Sequence, residues 1–162
     1  MTATNAEEPT DLREAGLRAM RDALPGVFPE GDIDLRDGRL GEELVEIGLT
    51  SVWGALWARE GLAPRDRSLV TLGILIALGA ETELQTHFRV GLTNGLTREE
   101  LAEVVYHAAG YAGFPAATAA RTAARKALAD GAPGPARRRT NPRGRIYGVN
   151  PWEQACGDRS AG

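Results

Sequence analysis

The stretch PRDRSLVTLGILIALGAETELQTHFRVGLTNGLTREEL, residues 64–101, decides the fold class. Pro64 suits the first turn of a helix, because the N–H it lacks would have no intrahelical partner there. Arg65, Asp66 and Arg67 fill that turn, and the chain then runs apolar on every side through LVTLGILIALGA, residues 69–80. A helix without a polar face is expected to be central and buried. The run is too short for a membrane span, which needs about 20 apolar residues. From about Glu81, Leu84, Phe88 and Leu92 recur at helical spacing, and Asn94-Gly95 ends that helix with residues that tolerate a left-handed backbone. Thr97-Arg98-Glu99-Glu100 then reads as a capping box, in which side chains three apart satisfy each other's orphan N–H groups. No alternating β-branched runs exist to pair as a sheet, so the chain is expected to be all-α.

Working outward, Thr10 or Asp11 can cap a helix over residues 11–24, which Pro25-Gly26 ends. A turn-rich link follows. A second helix over about residues 40–59 carries Leu44, Ile47, Val52, Leu56, Trp53 and Trp57, with Gly61 as its stop. Beyond the capping box the helix continues to about Ala112, Gly113 and Pro115 break it, and an alanine-rich last helix covers residues 116–129. Three regions result: an N-terminal helix and linker (1–33), a helical domain (34–130), and a tail rich in Pro, Gly and Arg (131–162). Arg137, Arg138, Arg139, Arg143 and Arg145 read as a solvated tail rather than a nucleic-acid arm. Ile146, Tyr147, Val149 and Trp152 are too apolar for solubility alone, so packing on the body or on a neighbour is expected of them.

The 162 residues suit one domain with a real core. An apolar fraction of 43% and a charged fraction of 25% are those of an ordinary globular protein. A net charge of −3 gives no case for nucleic acid or an anionic membrane as partner. The single Cys156 excludes a disulfide framework and any CxxC motif. The acidic, polar start carries no secretory signal, so a cytoplasmic address is expected.

Two histidines are the main candidates for chemistry. Glu83 and His87 stand at i and i+4, where helical side chains meet. Glu103, His107 and Tyr111 repeat that spacing on the next helix, and the short link through Asn94 would set the two helices antiparallel. Histidine titrates near neutrality, so such a site can donate or accept protons without a cofactor. Each residue also has a plainer reading: a surface ion pair for Glu83 and His87, a hydrogen-bonded core residue for His107, core packing for Trp53 and Trp57. No HxxxH or HExxH spacing favours a metal, and no GxSxG favours a serine nucleophile.

The motifs WGxxWxRxGL, RxRSLxTL, LIALG, ELxxHxxxGLxNGxTxEEL and YxGFPAA, in that order, resemble the carboxymuconolactone decarboxylase family of the AhpD-like all-helical superfamily, over residues 34–129. The resemblance implies a helical subunit assembled into trimers or hexamers. The AhpD-type thiol peroxidases carry a CxxC whose cysteine positions correspond here to Ala80 and Glu83, so disulfide chemistry is not expected. For the remaining branch the resemblance implies cofactor-free loss of CO2 from a carboxylated unsaturated lactone such as 4-carboxymuconolactone. The breaking bond's electrons flow into the conjugated carbonyl, and a proton is then placed on carbon.

The implied roles are His87 as proton donor tuned by Glu83, His107 polarising the lactone carbonyl or holding the carboxylate, and Arg67 as counter-ion. Trp53 and Tyr111 would line the pocket. No metal or organic cofactor is implied, and the partners are the small acid or lactone and further copies of the chain. The added tail and the Arg, Ala and Gly content keep one alternative open, and the plainer readings of the candidate residues keep a second. One is another proton-transfer reaction (cyclisation, dehydration, isomerisation) of specialised-metabolite biosynthesis; the other is a non-catalytic oligomeric binding module.

Overall fold

The computed structural model describes residues 11–129; the tail, with Cys156 and the apolar residues expected to pack on the body, lies outside them. The regular elements among the described residues are all helical, without a strand, as the all-α expectation requires. It runs α1 (Leu12–Ala23), α2 (Leu44–Gly48), a π-helix (Leu49–Trp57), α3 (Pro64–Leu78), α4 (Glu81–Thr93), α5 (Arg98–Tyr111) and α6 (Phe114–Ala129).

Local chemistry explains most of the boundaries. Asp11 caps α1 by accepting from the Arg13 N–H at 3.0 Å. Gly79 ends α3 at φ 66°, a left-handed value that costs glycine nothing, and α4 begins two residues later. The capping box of α5 forms in full: the Glu100 N–H donates to Thr97 Oγ1 at 3.1 Å, and the Thr97 N–H donates to Glu100 Oε2 at 2.9 Å. Glu100 also receives the Arg65 guanidinium, which ties the first turn of α5 to that of α3.

Two apolar cores result, and α4 belongs to both. Leu72, Ile76, Leu84, Phe88, Leu96, Leu101, Val105 and the buried alanines of α6 form the first. Leu17, Met20, Ala23, Leu24, Leu35, Leu49, Trp53 and Val90 form the second, so α1 packs onto the π-helix. Arg13 ties α1 to α2 and to the linker: its Nε donates to Glu46 Oε1 at 2.6 Å, and its Nη2 donates to the Ile33 carbonyl at 2.6 Å. Each large side chain fully withdrawn from water, such as Phe88 or Leu72, contributes about 1.5–3 kcal/mol.

Three expectations are corrected. The helix expected over residues 40–59 is a short α-helix continued by nine residues of π-helix. The apolar run of α3 is not buried all round. Ser68, Leu72 and Ile76 face the core, whereas Val70 (55% exposed), Ile74 (55%) and Leu78 (72%) form a bare stripe at i, i+4 and i+8. The described protomer covers one side of α3, and a sequence apolar on both sides leaves the other open. Finally, Pro115 starts a helix instead of breaking one: α6 begins at Phe114, so the proline falls in a first turn that has no use for its N–H.

Candidate functional site

His87 occupies the helix shared by the two cores. It is 8% exposed, and no other titratable side chain among the described residues is buried. The π-helix supplies its immediate surroundings. The imidazole lies 6.4 Å from the Trp53 ring with 10° between planes, and 5.9 Å from Trp57 with 26° between planes. The two indoles are themselves 5.1 Å apart. These separations fall within the offset-stacking range of aromatic rings.

Burial among these rings disfavours the charged imidazole and lowers the His87 pKa from 6.5 to about 4; burial is the cause, with no ionic contribution beside it. At neutral pH the ring is therefore uncharged. Its Nδ1 is buried and has no hydrogen-bond partner among the described residues. No carboxylate or carbonyl fixes the tautomer through that atom, so the imidazole keeps an open position for a ligand or a proton.

The other sequence candidates are placed as follows. Trp53 is buried (3% exposed) and belongs to the His87 group. Glu83 is exposed and makes no hydrogen bond to His87 among the described residues: Nδ1 is unpartnered and no carboxylate acts on the ring. His107 is exposed on α5, and its ring lies 4.9 Å from that of Tyr111, itself 85% exposed, tilted at 38°. The histidines thus sit in two separate aromatic pairings.

Arg67 is half-buried. Its Nη2 donates to the Arg59 carbonyl at 2.8 Å and to that of Leu62 at 3.3 Å, while its Nε is buried without a partner. Part of its donor set holds the turn that follows the π-helix, and one buried N–H remains unused. Trp57 is the site residue that sequence reasoning did not assign. Its only signal was the WxxxW spacing, which reads equally as core packing. No cluster of three metal-ligating side chains assembles among the described residues.

The described residues form an all-helical fold with one buried histidine, whose imidazole is neutral. The comparisons are more specific. The model of the carboxymuconolactone decarboxylase family matches residues 44–126, which include the π-helix, His87 and the capping box. The chain belongs to the carboxymuconolactone decarboxylase family.

It is 46% identical over 78 residues to a 4-carboxymuconolactone decarboxylase of Acinetobacter baylyi, covering 48% of this chain and 58% of that protein. It is 36% identical over 132 residues to the nitrosuccinic acid decarboxylase npaB of Metarhizium robertsii, covering 79% of this chain and 89% of that protein. An uncharacterised 15.0 kDa protein of Paracoccus denitrificans is 34% identical over 71 residues, or 42% of this chain and 53% of that protein. The match to the Acinetobacter protein thus spans little more than half of its length. No helix among the described residues is long and apolar enough to cross a membrane.

Proposed function

We propose that this protein is a cofactor-independent decarboxylase, a carboxy-lyase acting on a small organic acid through proton transfer by His87. One observation carries the reading: the buried titratable side chain is a neutral imidazole with an unpartnered ring nitrogen, pressed against two indoles.

The chemistry asks for little else. When a carboxylate leaves as CO2, its bonding electrons stay on carbon and need an acceptor. In 4-carboxymuconolactone the conjugated lactone carbonyl takes them, and in nitrosuccinic acid the nitro group takes them. The sink is part of the substrate, so the protein need only bind the anion, exclude water and return a proton to carbon. Two relatives named for these substrates favour an acid of this type, with its carboxylate on a carbon conjugated to an electron-withdrawing group.

His87 fits the proton task in two steps. In the free protein it is neutral. A bound carboxylate brings negative charge beside the ring and favours the imidazolium, which then carries the proton that carbon accepts as CO2 departs. Arg67 is the proposed counter-ion, because one of its buried N–H groups has no partner. Glu83 would act from the solvent edge one turn before His87. His107 and Tyr111, exposed on α5, would join the site through a neighbouring subunit. The bare stripe of Val70, Ile74 and Leu78 supports a homo-oligomer, since an apolar helix face of this kind marks an interface.

The test is direct. Purified protein is incubated with 4-carboxymuconolactone and, separately, with nitrosuccinic acid, and CO2 release is followed. Catalysed release from either supports the reading and ranks the substrates. Release at the uncatalysed rate from both would favour another proton-transfer reaction or a silent binding module.

A further inference from the structure

The π-helix is the least ordinary element of the fold. Its winding is seen in the Ala58 N–H, which donates five residues back to the Trp53 carbonyl at 3.0 Å. π-winding is rare and is found mostly as single turns, often beside functional sites. Here it extends from Leu49 to Trp57. Positions four apart lie on nearly the same face of this helix, as they do in an α-helix. That brings the indoles of Trp53 and Trp57 together, both over one imidazole.

The surroundings hold this geometry. Gly54 meets the Leu12 carbonyl of α1, and Gly16 meets the Leu49 carbonyl, so the two helices cross backbone to backbone. The Thr50 hydroxyl donates to the Glu46 carbonyl at 3.1 Å, and the Ser51 hydroxyl donates to that of Ile47 at 2.5 Å. These bonds satisfy carbonyls at the entrance to the π-segment.

We propose that Trp57 is a positioning residue for His87: together with Trp53 it forms a pair of adjacent indoles, carried four apart on the π-helix, that stacks on one side of the imidazole, orients its plane and shields it from water. This deepens the proton-transfer reading and rests on it only for the catalytic consequence. No charge from the packed helices offers another explanation. Burial acts on the ring without an ionic contribution from α1, α3, α5, α6 or the π-helix. Glu83 on α4 is exposed, Arg67 on α3 is turned to the Arg59 and Leu62 carbonyls, and Arg89 on α4 donates to the Ala127 carbonyl at 3.1 Å.

The experiment is an NMR titration of the histidine ring signals in the full-length protein without substrate. The chain has two histidines, and His107→Gln assigns the remaining signal to His87. Trp57→Ala removes one of the two indoles and admits water, and Trp57→Phe restores a flat apolar face. The His87 midpoint is expected to rise by about one unit or more in Trp57→Ala, toward the ordinary value, and to stay low in Trp57→Phe. Should Trp57→Ala fail to fold, Trp57→Gln keeps the side-chain length at this half-exposed position and is expected to raise the midpoint likewise. A folded Ala or Gln variant with the wild-type midpoint overturns the proposal, as does a Phe variant that shifts as far as Ala. Because the readout uses no substrate, it stands apart from whether the protein is a decarboxylase. Where turnover is measurable, the alkaline limb of kcat/KM, on which the proton donor is lost, should move up with the midpoint.

Discussion

His87 and Trp53 hold their rings within 10° of parallel, with centroids 6.4 Å apart, and this contact joins the two halves of the molecule. His87 stands on α4, which packs into the core of α3 to α6, while Trp53 belongs to the core built on α1. The imidazole is thus desolvated at the seam between two apolar clusters, and its chemistry depends on how they meet.

That burial has a cost in acid. The folded pKa of His87 is about 4, below the ordinary 6.5, so the unfolded chain takes up the proton first as pH falls. Stability is whole above about pH 6.5 and declines as pH drops through the interval down to 4, by about 3 kcal/mol in all. Glu99 and Glu100 have lowered pKa values, mainly through hydrogen bonds from backbone N–H groups at the start of α5, and also lose stability as pH falls. Their contribution is common to wild type and His87→Gln and cancels in the difference. Urea unfolding of both proteins from neutral pH to about pH 4 should therefore show the gap between them changing by about 3 kcal/mol. A constant gap contradicts the lowered pKa.

The crossing of α1 with the π-helix leaves no room for a methyl group. A Cβ at Gly54 would collide with the Leu12 carbonyl, and one at Gly16 with the Leu49 carbonyl, backbone atoms that cannot swing aside. Gly54→Ala is expected to destabilise the fold by about 3 kcal/mol, the upper end for overpacking. Gly73→Ala on α3, where an added Cβ meets nothing within 4 Å, should be neutral or slightly stabilising. Equal melting temperatures for the two variants would refute the close crossing.

The bare stripe of α3 predicts self-association. Ile74 lies at its centre, 55% exposed in the protomer. Ile74→Lys should leave the helical content unchanged and reduce the particle mass in sedimentation to that of one chain. A wild type that is already a single chain, or a variant that stays assembled, rejects the stripe as an interface.

Much of this architecture was legible in the residues. The capping box at Thr97, the proline start of α3 and the Asp11 cap are local rules, and each is met at the expected position or within a residue of it. The π-winding was not legible. Trp53 and Trp57 four apart satisfy an α-helical pattern as well as a π one, and the close crossing of α1 at Gly54 is a contact between segments distant in the chain. The exposed face of α3 escaped for a similar reason: an all-round apolar helix states that it will be covered, not by which chain. His87 was found through its residue type and the family motif. Glu83 stands exposed, because spacing along a helix brings two side chains near without bringing both out of the water.

The account stands on the imidazole, and kinetics on His87→Gln test it most directly. Glutamine keeps a polar group of similar reach but cannot carry a proton, so folding should survive while proton delivery does not. With whichever acid the wild type decarboxylates, CO2 release by His87→Gln is expected to fall by about a hundredfold to ten-thousandfold at neutral pH. A folded His87→Gln protein releasing CO2 at the wild-type rate would contradict the central claim.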